Sequence, residues 1–121
     1  MQTVTEPNRM TEFEVQAYLW NALRQIGFNV RGEVKAKYAG RGSVRFDLAV
    51  FEDGKLAGII EVKATKIRHR ISWEATRQGY RYNQFGVPVQ IVYGYEEAQD
   101  LVMQAKTVGL FAGRLTVAAN G

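Results

Sequence analysis

Residues 44–64, VRFDLAVFEDGKLAGIIEVKA, restrict the fold more than any other stretch of the chain. Two apolar runs flank an Asp-Gly turn, and this pattern predicts a β-hairpin. Strand side chains alternate faces, so the turn decides which residues share one. A three-residue loop, with Gly54 in the left-handed conformation, pairs Phe51 with Lys55 and sets Asp47 opposite Ile59. In that register Phe46, Leu48, Val50, Leu56, Ile60 and Val62 share one face, the core. Asp47, Glu61 and Lys63 fall together on the reverse face. There Asp47 and Glu61 are diagonal neighbours, roughly 7–8 Å apart at the backbone. A two-residue Asp-Gly turn would instead pair Asp47 with Ile60 and split the hydrophobic set.

Charges set into an apolar hairpin need a chemical reason. Two converging carboxylates repel unless a cation lies between them or one is protonated. Oxygen ligands at this spacing suit Mg²⁺, with Mn²⁺ as a substitute; both retain waters and still bind phosphate. A lysine beside such an ion can orient or deprotonate an attacking water, or steady the charge that builds on a phosphate. Asp47, Glu61 and Lys63 therefore have the chemistry of metal-assisted phosphodiester hydrolysis. The competing reading is a solvated strand face carrying a harmless cross-strand Asp–Lys pair.

The remaining sequence frames this hairpin. Residues 11–28, TEFEVQAYLWNALRQIGF, carry apolar rows at Phe13, Ala17, Trp20 and Leu23 and at Val15, Tyr18, Leu19, Ala22 and Ile26. That period predicts an amphipathic helix with a wide buried face, Trp20 included. Thr11 and Glu14 form a capping box, and Gly27 supplies the stop. A strand over 29–37 precedes a glycine-rich break, and strands over about 45–51 and 56–63 form the hairpin. A helix from about Ser72 to Phe85 follows, with Trp73 in the core, then a strand in VPVQIVYGY, a helix in EEAQDLVMQAKTVG and an edge strand in GRLTVAA. The order is α-β-β-β-α-β-α, an α/β fold with a central mixed sheet flanked by helices. Residues 1–10 read as a loose tail and 11–121 as one domain.

Bulk properties narrow the setting. The 121 residues contain no cysteine, which removes disulfides and thiolate metal sites and fits a reducing cytoplasm. No apolar run approaches the ~20 residues of a membrane span, and no secretory leader is apparent. The expectation is a cytoplasmic protein of prokaryotic or phage type. Sixteen basic against twelve acidic side chains give a net charge of +4, which favours a polyanionic partner. Basic runs at 35–45 and 66–70 border the hairpin, although short charge runs are usually only solvated surface.

With FDLAV, the interval from Asp47 to Glu61, and IIEVKA in view, the chain resembles the PD-(D/E)XK nuclease superfamily, the restriction-endonuclease-like fold. The resemblance covers about residues 11–93. It implies that Asp47 and Glu61 are metal-binding acids, that Lys63 is the catalytic lysine, and that Val62 lends a backbone carbonyl to the metal. Phe46 stands where the family pattern has proline. The resemblance further implies a metal-binding glutamate on the first helix, Glu14 or else Glu12; the capping box is the alternative role for Glu14. Gln78 and Tyr82 match a Gln-x-x-x-Tyr pattern that some branches carry after the lysine, with Gln78 helping the catalytic site and Tyr82 supporting it.

Together these readings predict a Mg²⁺-dependent DNA endonuclease, working as a homodimer or as a subunit of a larger nucleic-acid-processing complex. Arg41, Ser43, Arg45, Lys66, Arg68 and Arg70 would contact the DNA backbone. His69, the single histidine, is assigned to exposure or a phosphate contact. The alternatives are a Holliday-junction resolvase or other structure-selective nuclease, and a catalytically silent nucleic-acid-binding subunit.

Overall fold

The computed structural model describes residues 10–37, 42–63, 82 and 84–117. The expected helix over 72–85 falls outside the described residues except for Tyr82, Gln84 and Phe85. Trp73, Gln78, His69, Arg41, Lys66, Arg68 and Arg70 fall outside them as well.

Helix α1 spans Glu12–Ile26 and begins as its sequence dictates. The Thr11 hydroxyl accepts from the Glu14 N–H at 3.1 Å, and the Glu14 carboxylate accepts from the Thr11 N–H at 2.9 Å. Two otherwise orphaned helix-end donors are thereby satisfied. Gly27 ends the helix with φ 124°, its N–H shared between the Leu23 and Arg24 carbonyls. Val15, Leu19 and Leu23 form the buried stripe, with Tyr18, Ala22 and Ile26 beside it. The other predicted row splits: Leu23 is buried, whereas Phe13 is 70% exposed and Trp20 is a surface residue with the Arg24 guanidinium 4.8 Å above its ring. Among the described residues the sheet and the second helix cover the Val15–Leu19–Leu23 side of α1, and Phe13 and Trp20 lie off it.

Four strands form one sheet in the order β1-β2-β3-β4: β1 (Asn29–Lys37), β2 (Ser43–Glu52), β3 (Lys55–Lys63) and β4 (Val89–Tyr93). The first three run antiparallel in sequence, and β4 joins β3 in parallel, making the sheet mixed. Helix α2 (Gly94–Thr107) leaves β4 directly and buries Ala98, Leu101, Val102 and Ala105. Together α1 and α2 cover one face over Val30, Leu48, Val50, Ile60, Val62 and Val92. A second apolar cluster, containing Val44, Phe46, Ala49, Ile59 and Tyr82, packs separately. The predicted α/β architecture is observed. The described part of the predicted edge strand GRLTVAA, residues 113–117, forms no strand: Leu115 makes an isolated bridge back to Leu110 that closes a tight loop, and residues 118 and 119 lie outside the described residues. Phe111, Ala112 and Gly113 all have positive φ there, which turns the chain back on itself.

The hairpin turn also differs from expectation. Glu52 pairs with Lys55, so the loop has two residues, with Asp53 at φ 53° and Gly54 at φ 78°. Both central residues are left-handed, the preference of a type I′ Asp-Gly turn. A register shift then follows between Val50 and Phe51: Phe51 faces Leu56, but Val50 faces Gly58, leaving Ala57 as the extra residue. This bulge restores the parity that the two-residue turn would have broken. Leu48 faces Ile60, so continuing the same count brings Asp47 level with Glu61 rather than opposite Ile59.

Candidate active site

Asp47 lies where the hairpin changes phase. Before it, Val44 and Phe46 belong to the second cluster; after it, Leu48 and Val50 belong to the helix-covered face. Strand β1 changes phase at the same rung, with Val30 under the helices and Val34 and Ala36 on the other side. The residue level with Asp47 on β1 is Glu33, at φ 54°, and the strand pairing skips this one rung between Gly32↔Leu48 and Val34↔Phe46. A left-handed residue turns the strand over, and the expectation that Phe46 shares a face with Leu48 and Val50 is corrected accordingly. Phe46 instead meets Tyr82 and Phe85 edge-to-face, at 5.1 and 5.2 Å.

The Asp47 carboxylate reaches across to β3, where its Oδ2 accepts the Val62 N–H at 2.8 Å. The Leu48↔Ile60 rung is the last pairing before this point, so the side chain takes over where the main-chain ladder stops. Glu61 lies beside it and is the single buried charged residue among those described, 4% exposed. The Glu61 carboxyl is pushed up to about 7, first by burial and then by the negative charge of Asp47, with Lys63 pulling in the opposite direction. Asp47 is near enough to hydrogen bond with Glu61 through its side chain and its main chain.

Tyr82 also reaches Glu61. Its hydroxyl lies 2.6 Å from the Arg45 carbonyl and 3.2 Å from Glu61 Oε2. A phenol has one proton, and a carbonyl can only accept, so the shorter bond takes that proton. The Glu61 contact is then best satisfied when Glu61 is the protonated partner, in keeping with its raised pKa. Lys63, half-buried, ends β3 level with Tyr93 of β4.

The structure thus draws Asp47, Glu61, Val62 and Tyr82 together, with Lys63 acting electrostatically on Glu61. Glu14 is not joined to them: its carboxylate is engaged in the capping box at an exposed helix end, and no group of three acids or histidines gathers among the described residues. Ser43 is exposed at the start of β2. The Arg45 guanidinium is tied to Glu33 at 2.8 Å, with both side chains about half exposed. Two residues at this site escaped sequence reasoning. Gln16 donates its amide to the Asp47 carbonyl at 3.1 Å, and Glu33 accepts from that amide at 3.5 Å. A signal for Gln16 existed: it lies seven residues before Leu23 and so on nearly the same side of the helix as the buried stripe.

A solved structure described as a VRR_NUC domain superposes on this chain with a TM-score of 0.51 at 26% identity, covering 78% of this chain and 97% of that one. The fold is that of a nuclease domain. The likeness supports the PD-(D/E)XK superfamily, to which such domains are related. No family model matches the sequence, and no curated protein does. Among the described residues of this nuclease-like fold, no helix is long and apolar enough to cross a membrane.

Proposed function

We propose that the protein is a divalent-metal-dependent nuclease that hydrolyses phosphodiester bonds in DNA. The observation that carries this reading is the Asp47–Glu61 pair: two carboxylates within hydrogen-bonding reach, one of them held above its ordinary range by burial and then by its neighbour. Two converging carboxylates favour a cation between them, and an all-oxygen donor set fits Mg²⁺ or Mn²⁺. Asp47, Glu61 and the Val62 carbonyl would hold the ion, with Lys63 next to them. Bound there, the ion would supply Lewis acidity toward a phosphoryl oxygen and toward water.

The chain's own residues account for the other steps. Asp47, fixed by the Val62 N–H, keeps one carboxylate oxygen for ligation. Glu61 gives up its proton as the cation binds, and Tyr82 then can donate to the resulting carboxylate. The Lys63 ammonium lies along the same strand, suited to orient the attacking water and to balance charge on the phosphate. Ser43 and Arg45 flank Asp47 on β2 and are the described candidates for backbone contacts. Gln78, Arg41, Lys66, Arg68 and Arg70 remain proposed from sequence alone, as does a homodimer or larger assembly for cutting both strands.

Cleavage assays test this directly, using supercoiled plasmid, linear duplex, single strand and four-way junction with Mg²⁺, Mn²⁺ or EDTA. Cutting is expected with metal only, and Lys63→Ala is expected to lower the rate by ~10²-fold or more with the fold intact. Equal cutting by Lys63→Ala, or cutting in EDTA, would overturn the assignment. A preference for the four-way junction would move the reading to a resolvase. Binding without cutting would favour the silent subunit.

A further inference from the structure

We infer that Gln16 is a positioning residue for Asp47, acting from helix α1 through the main chain; the catalytic meaning of this rests on the nuclease reading above. Asp47 sits on the one rung that the β1–β2 pairing skips, opposite a left-handed Glu33. A strand that turns over at such a rung loses the regular constraint that sets a residue's orientation. Gln16 supplies a constraint from outside the sheet. Its Nε2 donates to the Asp47 carbonyl at 3.1 Å, and the same amide group reaches Glu33 Oε2 at 3.5 Å. Glu33 is held in turn through its other oxygen by Arg45 at 2.8 Å. Helix, β1 and β2 are thus tied together around one backbone unit. At Gly32 a methyl group would meet Gln16 Nε2 at 3.9 Å and the Asp47 carbonyl at 4.0 Å, so the amide packs close against the strand there.

The geometry defines what the amide does. The Asp47 carbonyl fixes where the chain leaves Asp47, and the carboxylate must reach Val62 N–H to within 2.8 Å. Fixing the main chain therefore fixes the carboxylate. Glu33 contributes through strain: a non-glycine residue in the left-handed region is disfavoured and persists only where its surroundings over-determine it. Here the over-determining contacts are Gln16 and Arg45. Supports of this kind around a ligating carboxylate typically change metal affinity by ~10–100-fold when removed.

The test reads the Val62 amide. Hydrogen exchange is followed by NMR in the wild-type chain, Gln16→Leu, Gln16→Glu and, as the limiting case, Asp47→Ala, with the helical amides of Leu19 and Leu23 as internal references. Positioning predicts that Gln16→Leu and Gln16→Glu speed exchange at Val62 by about tenfold, toward the Asp47→Ala value, and leave the two references unchanged. Calorimetric Mn²⁺ titration should show ~10-fold weaker binding for Gln16→Leu. Unchanged Val62 exchange would overturn the inference. So would equal acceleration at Leu19 and Leu23, which would make Gln16 a packing residue of the helix. A wild-type chain that takes up no Mn²⁺ would overturn the metal reading alone, while Val62 exchange would still decide the positioning.

Discussion

Glu61 shows how burial and a like charge together set the behaviour of one side chain. Its folded pKa of about 7 lies well above the value of an exposed glutamate, owing first to burial and then to Asp47. A carboxyl raised on folding contributes stability that is fully present below its unfolded pKa and is lost as pH rises through the folded one. The metal-free protein should therefore melt at progressively lower temperature from about pH 4.5 to beyond pH 7. Glu61→Gln should flatten that decline, since the amide has no proton to lose. Added Mg²⁺ should restore melting temperature most at the alkaline end, where the carboxylate is free to ligate. Thermal melts across that range, with and without metal, check all three statements. A wild-type profile that rises with pH would contradict the assignment of Glu61 as the buried acid.

At the scale of elements, Glu14 in the first turn of α1 separates structure from chemistry. Glu14 closes the capping box, and a glutamine can still accept from the Thr11 N–H. Glu14→Gln should therefore leave both melting temperature and cleavage nearly unchanged, whereas Thr11→Ala should cost about 1 kcal/mol. A large loss of cleavage in Glu14→Gln, with stability retained, would reinstate Glu14 as a metal ligand. The hairpin gives the complementary lesson. Its turn is two residues long, which by itself would misregister the strands, and the bulge at Ala57 repairs the parity. The sequence reading reached the correct grouping of Asp47 with Glu61 through the wrong loop, because parity depends on the sum of turn and bulge. An extra alanine in an apolar strand carries no compositional mark, so the bulge was not legible.

At the scale of the whole molecule, the loop at 110–115 locks onto the sheet through Phe111. A methyl group on Gly58 would lie 2.2 Å from that ring, so β3 and the loop meet without room for any side chain. Gly58→Ala should destabilise the protein by roughly 1–3 kcal/mol, measured by chemical denaturation, with Ala57→Gly as a control at the neighbouring bulge. Since Gly58 faces Val50 three residues before Glu61, the loss should reach the site as weaker Mg²⁺ stabilisation as well.

The amino-acid pattern alone determined the α/β class, the four observed strands and both described helices, because each of these follows from periodicity, caps and alternation over a few neighbouring residues. The convergence of Asp47 with Glu61 needed, in addition, the bulge that sets the parity of the hairpin. What the pattern left open were the features set by contacts between distant segments. The exposure of Trp20 depends on how far the sheet extends beneath α1. The turnover of β1 and β2 at Glu33 and Asp47 needs a left-handed glutamate that no glycine announces. The amide of Gln16 reaches Asp47 across thirty-one positions of sequence. Local periodicity records which face a residue prefers; only packing of the helix on the sheet decides which polar group that face will meet.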